Sequence, residues 1–163
     1  MVEIRLAEEA DFIEIDIVDN GTSVESSMQS LLSLPGFSTK GEGRGTGLFT
    51  VKTLAEKTGG SLSIEQTCAK GTRVRARFIK NQYCPVMGKI NSTVRTLMLC
   101  GNETEIFFKR TYLGRSFELD TRRMKLRLGE IPLLSADVCE WIGDYLKEQT
   151  QMIYGGAVDE ITG

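Results

Sequence analysis

Residues 12–21 read Phe-Ile-Glu-Ile-Asp-Ile-Val-Asp-Asn-Gly, with Ile13, Ile15 and Ile17 alternating with Glu14 and Asp16. Alternation with a period of two puts the isoleucines on one face and the carboxylates on the other, as in a half-buried β-strand. Asn20-Gly21 ends that strand in a turn. On the N-terminal side, Val2, Ile4 and Leu6 alternate with Glu3 and Arg5, so the two runs predict a β-hairpin across the polar residues 7–11. On the C-terminal side, Val24, Met28, Leu31 and Leu32 have helical spacing, which Pro35-Gly36 terminates. A loop from Phe37 to Gly47 follows, in which Gly41, Gly43, Gly45 and Gly47 stand at alternate positions. Leu48, Val51, Leu54 and Ala55 then recur at helical spacing up to Gly59-Gly60, so the glycines lead straight into a helix N-terminus. Ser61–Glu65 and Thr72–Phe78 predict two further strands, joined by a turn at Lys70-Gly71.

Glycines at alternate positions ahead of a helix leave several backbone N–H groups free to point at one anion, and the positive end of the helix dipole assists. The pattern suits a phosphate cradle, with a plain surface loop as the alternative. It is not a P-loop, because G-x-x-x-x-G-K-[ST] is absent. A dinucleotide fingerprint is also a poor fit, since a loop and not a strand precedes the glycines.

The 163 residues hold 20 Lys and Arg against 22 Asp and Glu, a formal net charge of -2, and 40% are hydrophobic. One domain, or one with an appendage, can bury a core from this composition, and nothing in its charge draws it to nucleic acid or an anionic membrane. No run of eighteen apolar residues suggests a membrane span. The chain has no histidine, which excludes Ser-His and Cys-His nucleophile pairs and a phosphorylated histidine within these residues. Cys68, Cys84, Cys100 and Cys139 form no C-x-x-C pair, and they read as reduced, structural cysteines of a cytoplasmic protein, not as metal ligands.

After a connection at Asn81–Asn91, Thr93–Cys100 and Glu103–Tyr112 predict two strands with Gly101-Asn102 as a hairpin turn. Arg115–Leu119 is extended. Ser135 is placed to cap a helix with Val138, Trp141, Ile142, Tyr145 and Leu146 on one stripe, expected to cover the hairpin, and Gly156–Gly163 are expected to fray. Lys109, Arg110, Arg115, Arg122, Arg123, Lys125 and Arg127 make a local basic stretch, read either as a solvated, ion-paired face or as a docking surface for an acidic partner. Arg73, Arg75 and Arg77 are expected on the wet face of their strand.

Four segments in order, Ile13–Val18 with Asp19-Asn20-Gly21, Gly36–Lys40, Gly43-Arg44-Gly45-Thr46-Gly47-Leu48 and Lys70-Gly71-Thr72, resemble the second half of the GHKL (Bergerat-type) ATP-binding fold. Gyrases, heat-shock chaperones, sensor histidine kinases and mismatch-repair ATPases share that fold. The resemblance covers residues 1–80 and implies an α+β two-layer sandwich: a mixed, mainly antiparallel sheet with the Val24 and Leu48 helices on one face. Residues 82–155 would form a β-hairpin and helix extension. By resemblance, the ligand is ATP or ADP, with or without Mg2+. Asp19 would accept a hydrogen bond from the adenine amino group, Gly21 would let the backbone approach the base, and Thr72 would support the adenine side. Phe37, Thr39 and Lys40 would belong to a mobile lid, while Gly43, Gly45, Thr46, Gly47 and Leu48 would hold the phosphates.

The sequence departs from that family in two places. Ser23 stands where a second glycine is usual. The family's magnesium-binding asparagine and catalytic acid lie on a helix before the first strand, and the sequence begins after that point, so no catalytic or metal residue and no hydrolysis by this chain alone are expected. Gly114–Arg123, Leu128–Leu133 and the Trp141 helix resemble the tail of GHKL-type proteins encoded beside iron hydrogenase subunits. That likeness implies an accessory or regulatory role, with a protein of a hydrogenase or redox system as partner. A homo-oligomer stays open, and so does a degenerate module serving as a protein-interaction scaffold. Membrane and nucleic acid are not expected partners.

Overall fold

A computed structural model describes residues 1–22, 46–67, 71–100 and 104–156. The expected Val24 helix, the loop from Phe37 to Gly45, Lys70, the Gly101-Asn102 pair and the tail from residue 157 lie outside the described residues. Within them the chain forms β1 (Val2–Glu8), β2 (Phe12–Asp19), α1 (Thr46–Lys57), β3 (Ser61–Gln66), β4 (Thr72–Ile79), α2 (Ile90–Cys100), β5 (Ile106–Tyr112), β6 (Arg115–Asp120), α3 (Thr121–Leu128) and α4 (Ala136–Ile153). The strands form a six-stranded sheet in the order β3-β4-β2-β1-β5-β6, which gives the expected α+β class. The chain divides into two compact units, Arg5–Pro85 and Met1–Ile4 with Val86–Gly163.

In Arg5–Pro85, β2 pairs antiparallel with β4, placing Ile13 opposite Phe78, Ile15 opposite Ala76 and Ile17 opposite Val74. Leu62 and Ile64 of β3 extend the same apolar face opposite Ala76 and Val74. Helix α1 lies on β3 and β4, with Ala55 fully buried. The opposite face carries Glu14 and Asp16 of β2 with Arg73, Arg75 and Arg77 of β4. There the Arg77 guanidinium stacks 3.7 Å from the centre of the Phe12 ring.

Buried Thr58 fixes the C-terminal end of α1. Its hydroxyl donates to the Ala55 carbonyl at 2.7 Å and accepts from the Ile79 amide at 3.0 Å. Its own carbonyl accepts from the Asn81 side chain at 2.8 Å. The Gly60 amide also bonds back to Ala55 O before β3 begins. Helix α1 therefore ends where β4 ends and β3 starts, and runs back over both strands. A 12-residue helix spans about 18 Å and a six-residue strand about 20 Å. The N-terminus of α1 thus comes to the end of the unit where β3 and β2 finish and β4 begins.

In the other unit, β5 and β6 form an antiparallel hairpin, with Phe108 opposite Leu119 and Arg110 opposite Phe117. Helices α2 and α4 pack on each other and on β5. Phe108, Ile142 and Leu146 are almost wholly buried, with Val94, Met98, Phe117 and Val138 around them.

Three sequence expectations are corrected in this unit. Thr93–Cys100 is not a strand: residues 90–100 are helical, burying Asn91, Val94 and Met98 at intervals of three and four. The β-branched content of the run and the glycine behind it argued for a strand, but burial against α4 with helical periodicity prevails. The basic segment, given no element from sequence, is α3, which Asp120 caps by accepting from the Arg122 amide at 2.9 Å. Trp141 is not core. It is half exposed and stacks on Tyr145, while Val138, Ile142 and Leu146 form the buried stripe. Ser135 does stand at the N-cap of α4, though its side chain makes no capping hydrogen bond.

Candidate functional site

Asp19 ends β2 on the face that carries Ile13, Ile15 and Ile17, because every second residue of a strand shares a side. By the same rule Thr72 shares the face of Val74, Ala76 and Phe78. These are the paired apolar faces of β2 and β4, the side on which α1 lies. Asp19 Oδ1 accepts the Gly21 amide at 2.7 Å, a tight turn that holds the carboxylate at the strand end. Its other oxygen accepts nothing among the described residues. A Cβ on Gly21 would meet Oδ1 at 3.0 Å, so the absence of a side chain there keeps the turn close.

Gly71 makes the tightest approach. A Cβ at that position would lie 1.8 Å from the Asp19 carbonyl oxygen and 2.9 Å from Asn20 Cα. No side chain fits. The Gly71 amide donates to Thr67 Oγ1 at 3.0 Å, and its carbonyl accepts from the Thr67 amide at 2.9 Å, so the flanks of the β3–β4 turn are pinned together against the end of β2.

On the opposite face, Asp16 anchors β2 to β4. Its carboxylate accepts two hydrogen bonds from Arg73, Nε to Oδ1 and Nη2 to Oδ2, each 2.8 Å, with Arg75 Nε 3.9 Å from Oδ1. The paired hydrogen bonds from Arg73 hold the Asp16 carboxyl below the usual aspartate range, outweighing the opposing effect of burial. Sequence reading placed Arg73 on a wet face but missed this clamp, since a diagonal pair between residues 57 apart leaves no local signal.

Thr46, Gly47 and Leu48 open α1, the first two exposed and Leu48 half-buried. The first four N–H groups of a helix lack intrahelical acceptors, and α1 has no acidic residue in its first turn to neutralise them. Since Thr58 pins the other end of α1 at Ile79, these amides lie at the same end of the unit as Asp19, Gly21 and Thr72. Ile17, beside Asp19 on the shared face, is 38% exposed and gives that end an apolar surface. Of the residues named from sequence, the fold thus gathers Asp19, Gly21, Thr46, Gly47, Leu48 and Thr72 at one end. Phe37, Thr39, Lys40, Gly43 and Gly45 lie outside the described residues. Among those described, no group of three Cys, Asp or Glu side chains is arranged to hold a metal ion.

Three of the seven basic residues of the second unit's stretch are ion-paired. Arg122 pairs with Asp120 at 2.7 Å, Arg123 with Glu118 at 2.9 Å and Lys125 with Glu105 at 2.8 Å. Arg110 is buried instead, donating to Asn91 and Tyr154 at 3.1 Å each. Hydrogen bonds from Arg122 keep the Asp120 carboxyl low, and those from Lys125 and Thr121 do the same for Glu105.

Residues 1–82 match the family model described as histidine kinase-, DNA gyrase B-, and HSP90-like ATPase. Over 72 residues the chain is 35% identical to a probable C4-dicarboxylate sensor kinase of Halalkalibacterium halodurans. That match takes in 44% of this chain and 14% of the kinase, so the chain spans a small part of the relative's length.

Two outcomes follow from the geometry. Gly71→Ala forces the β3–β4 turn off Asp19 and lowers stability by about 1–3 kcal/mol, as overpacking does, measured by urea unfolding. A carboxyl with a depressed folded pKa contributes stability above its unfolded pKa, about 3.9 for aspartate, and loses it as pH falls through the lower folded value. The stability gap between the wild type and Asp16→Asn is therefore widest near neutral pH and closes as the solution becomes more acidic than that range, which unfolding curves across pH will show.

Proposed function

The chain belongs to the histidine kinase-, DNA gyrase B-, and HSP90-like ATPase family, and from that premise we propose that it binds ATP or ADP at the end of the sheet marked by Asp19. The observation that carries the reading is that one face of the Arg5–Pro85 unit presents, at one end, a carboxylate oxygen that accepts nothing among the described residues, an exposed isoleucine and the N-terminus of α1. That donor set suits an adenine nucleotide. The second Asp19 oxygen accepts from an exocyclic amine, Ile17 offers apolar surface to a flat base, and Thr72 stands on the same face beside Asp19. The amides of Thr46, Gly47 and Leu48 suit phosphate oxygens, where the helix dipole adds attraction. Gly43 and Gly45 extend that cradle in sequence, with Phe37, Thr39 and Lys40 as lid residues. Bound ATP would supply a transferable γ-phosphoryl group, and the proposal assigns magnesium no protein ligand.

The role proposed is regulatory binding, not hydrolysis by this chain alone. The curated relative is called a sensor kinase, but these 163 residues contain no histidine, so a phosphorylated histidine would have to be supplied from elsewhere. The accessory role and a protein partner from a hydrogenase or redox system rest on the resemblance of the tail, and a cytoplasmic site of action rests on the reading of the four cysteines as reduced. No described helix is long and apolar enough to cross a membrane.

Thermal unfolding with ATP, ADP and GTP, with and without magnesium, tests the reading. A nucleotide at one hundred times its dissociation constant adds about 2.7 kcal/mol of stability. ATP and ADP are expected to raise the midpoint of the wild type and to leave Asp19→Ala nearly unmoved. An equal response from both proteins contradicts the adenine assignment, and no response from the wild type favours the scaffold.

A further inference from the structure

The second unit contains a cavity of about 580 Å³ between β6, α3 and α4, within the range of small-molecule sites. Its floor is apolar: Leu119, Met124 and Val138 are each less than a tenth exposed. One wall is an aromatic shelf in which Trp141 stacks on Tyr145, ring centres 5.1 Å apart at 21°. The shelf is fixed, because the Tyr145 hydroxyl donates to the Glu118 carbonyl at 3.1 Å and its ring meets Phe117 edge-on at 6.3 Å. Trp141 nevertheless remains half exposed, although a ring of that size is ordinarily buried for most of its area.

The charges lining the cavity sort into pairs, with two left over. Arg123 is held by Glu118 and Asp120 by Arg122. Arg127 of α3 and Asp137 of α4 also line the cavity, and neither has an ion pair or hydrogen bond among the described residues. Asp137 precedes Trp141 by four residues on α4, one helical turn along the same face. Among the described residues the cavity therefore presents one unpaired guanidinium from one helix, one unpaired carboxylate from the other, and a flat aromatic surface next to the carboxylate.

We infer that this cavity binds a small aromatic zwitterion of the class of an aromatic amino acid: its carboxylate on Arg127, its ammonium on Asp137 and its ring against Trp141. A guanidinium favours a carboxylate by geometry as well as charge, and a ring laid on an exposed indole gains offset stacking as well as burial. A singly charged molecule would engage only one of the two side chains, whereas a zwitterion engages both. This site is independent of the nucleotide reading, since every residue in it belongs to the Val86–Gly163 part of the second unit.

The test has a built-in reporter, because Trp141 is the one tryptophan in the chain. The full chain is titrated with L-phenylalanine, 3-phenylpropionate and 2-phenylethylamine, read by tryptophan fluorescence and by calorimetry. Phenylalanine is expected to bind saturably and at least tenfold more tightly than either analogue. Arg127→Leu should weaken phenylalanine and phenylpropionate while leaving phenylethylamine unchanged, and Asp137→Asn should do the converse. Both side chains are exposed, so circular dichroism of the variants is expected to match the wild type. Equal binding of phenylethylamine would make this a cation site and equal binding of phenylpropionate an anion site. Either result overturns the proposal, as does phenylalanine producing no saturable signal by both methods.

Discussion

The contact between Gly71 and the backbone of Asp19 constrains the rest of the first unit. With room for no Cβ between them, the start of β4 and the end of β2 are held at fixed separation, and the β2–β4 register, Val18 opposite Arg73, follows. That register decides two things at once. It brings Arg73 within reach of Asp16 on one face, locking the pair of strands through a bidentate ion pair. On the other face it sets Asp19 and Thr72 side by side, where the isoleucine surface emerges from beneath α1. A slip of one residue would exchange those faces, burying the arginines and exposing the isoleucines.

The second fixed point is Thr58. By bonding to Ala55, Ile79 and Asn81, it anchors α1 at the far end of the sheet and so directs the helix N-terminus toward Asp19. Gly71 and Thr58 thus act as opposite ends of one frame. Neither is proposed to touch the ligand, yet each positions something that is.

Much of the first unit was legible because its signals are local. The alternation of Ile13, Ile15 and Ile17, the Asn20-Gly21 turn and the periodicity from Leu48 to Ala55 each report on neighbours a few residues away, and the observed elements follow them closely. The Asp16–Arg73 clamp and the Thr58 stitch were not legible, being products of register between distant segments. In the second unit local signals misled. The run from Thr93 to Cys100 has strand-like composition but buries Asn91, Val94 and Met98 with helical periodicity, and the basic helix α3 runs for only eight residues, too short for its periodicity to stand out before Asp120 is known to cap it. Trp141 and Ile142 share one stripe in sequence, but only Ile142 reaches the core. Of the candidate nucleotide site, Asp19, Gly21, Thr46, Gly47, Leu48 and Thr72 were named from the order of short segments. What sequence did not supply is the physical reason they meet: a helix pinned at one end and a strand pinned at the other.

The central claim is that the end of β2 and the N-terminus of α1 form one adenine-nucleotide surface. Backbone amide NMR of the full chain titrated with ADP tests it most directly. The account predicts that the amides of Asp19, Gly21 and Thr72 shift together with those of Thr46, Gly47 and Leu48, along one saturation curve with a single dissociation constant. Shifts confined to one of the two groups, or saturating separately, would contradict it.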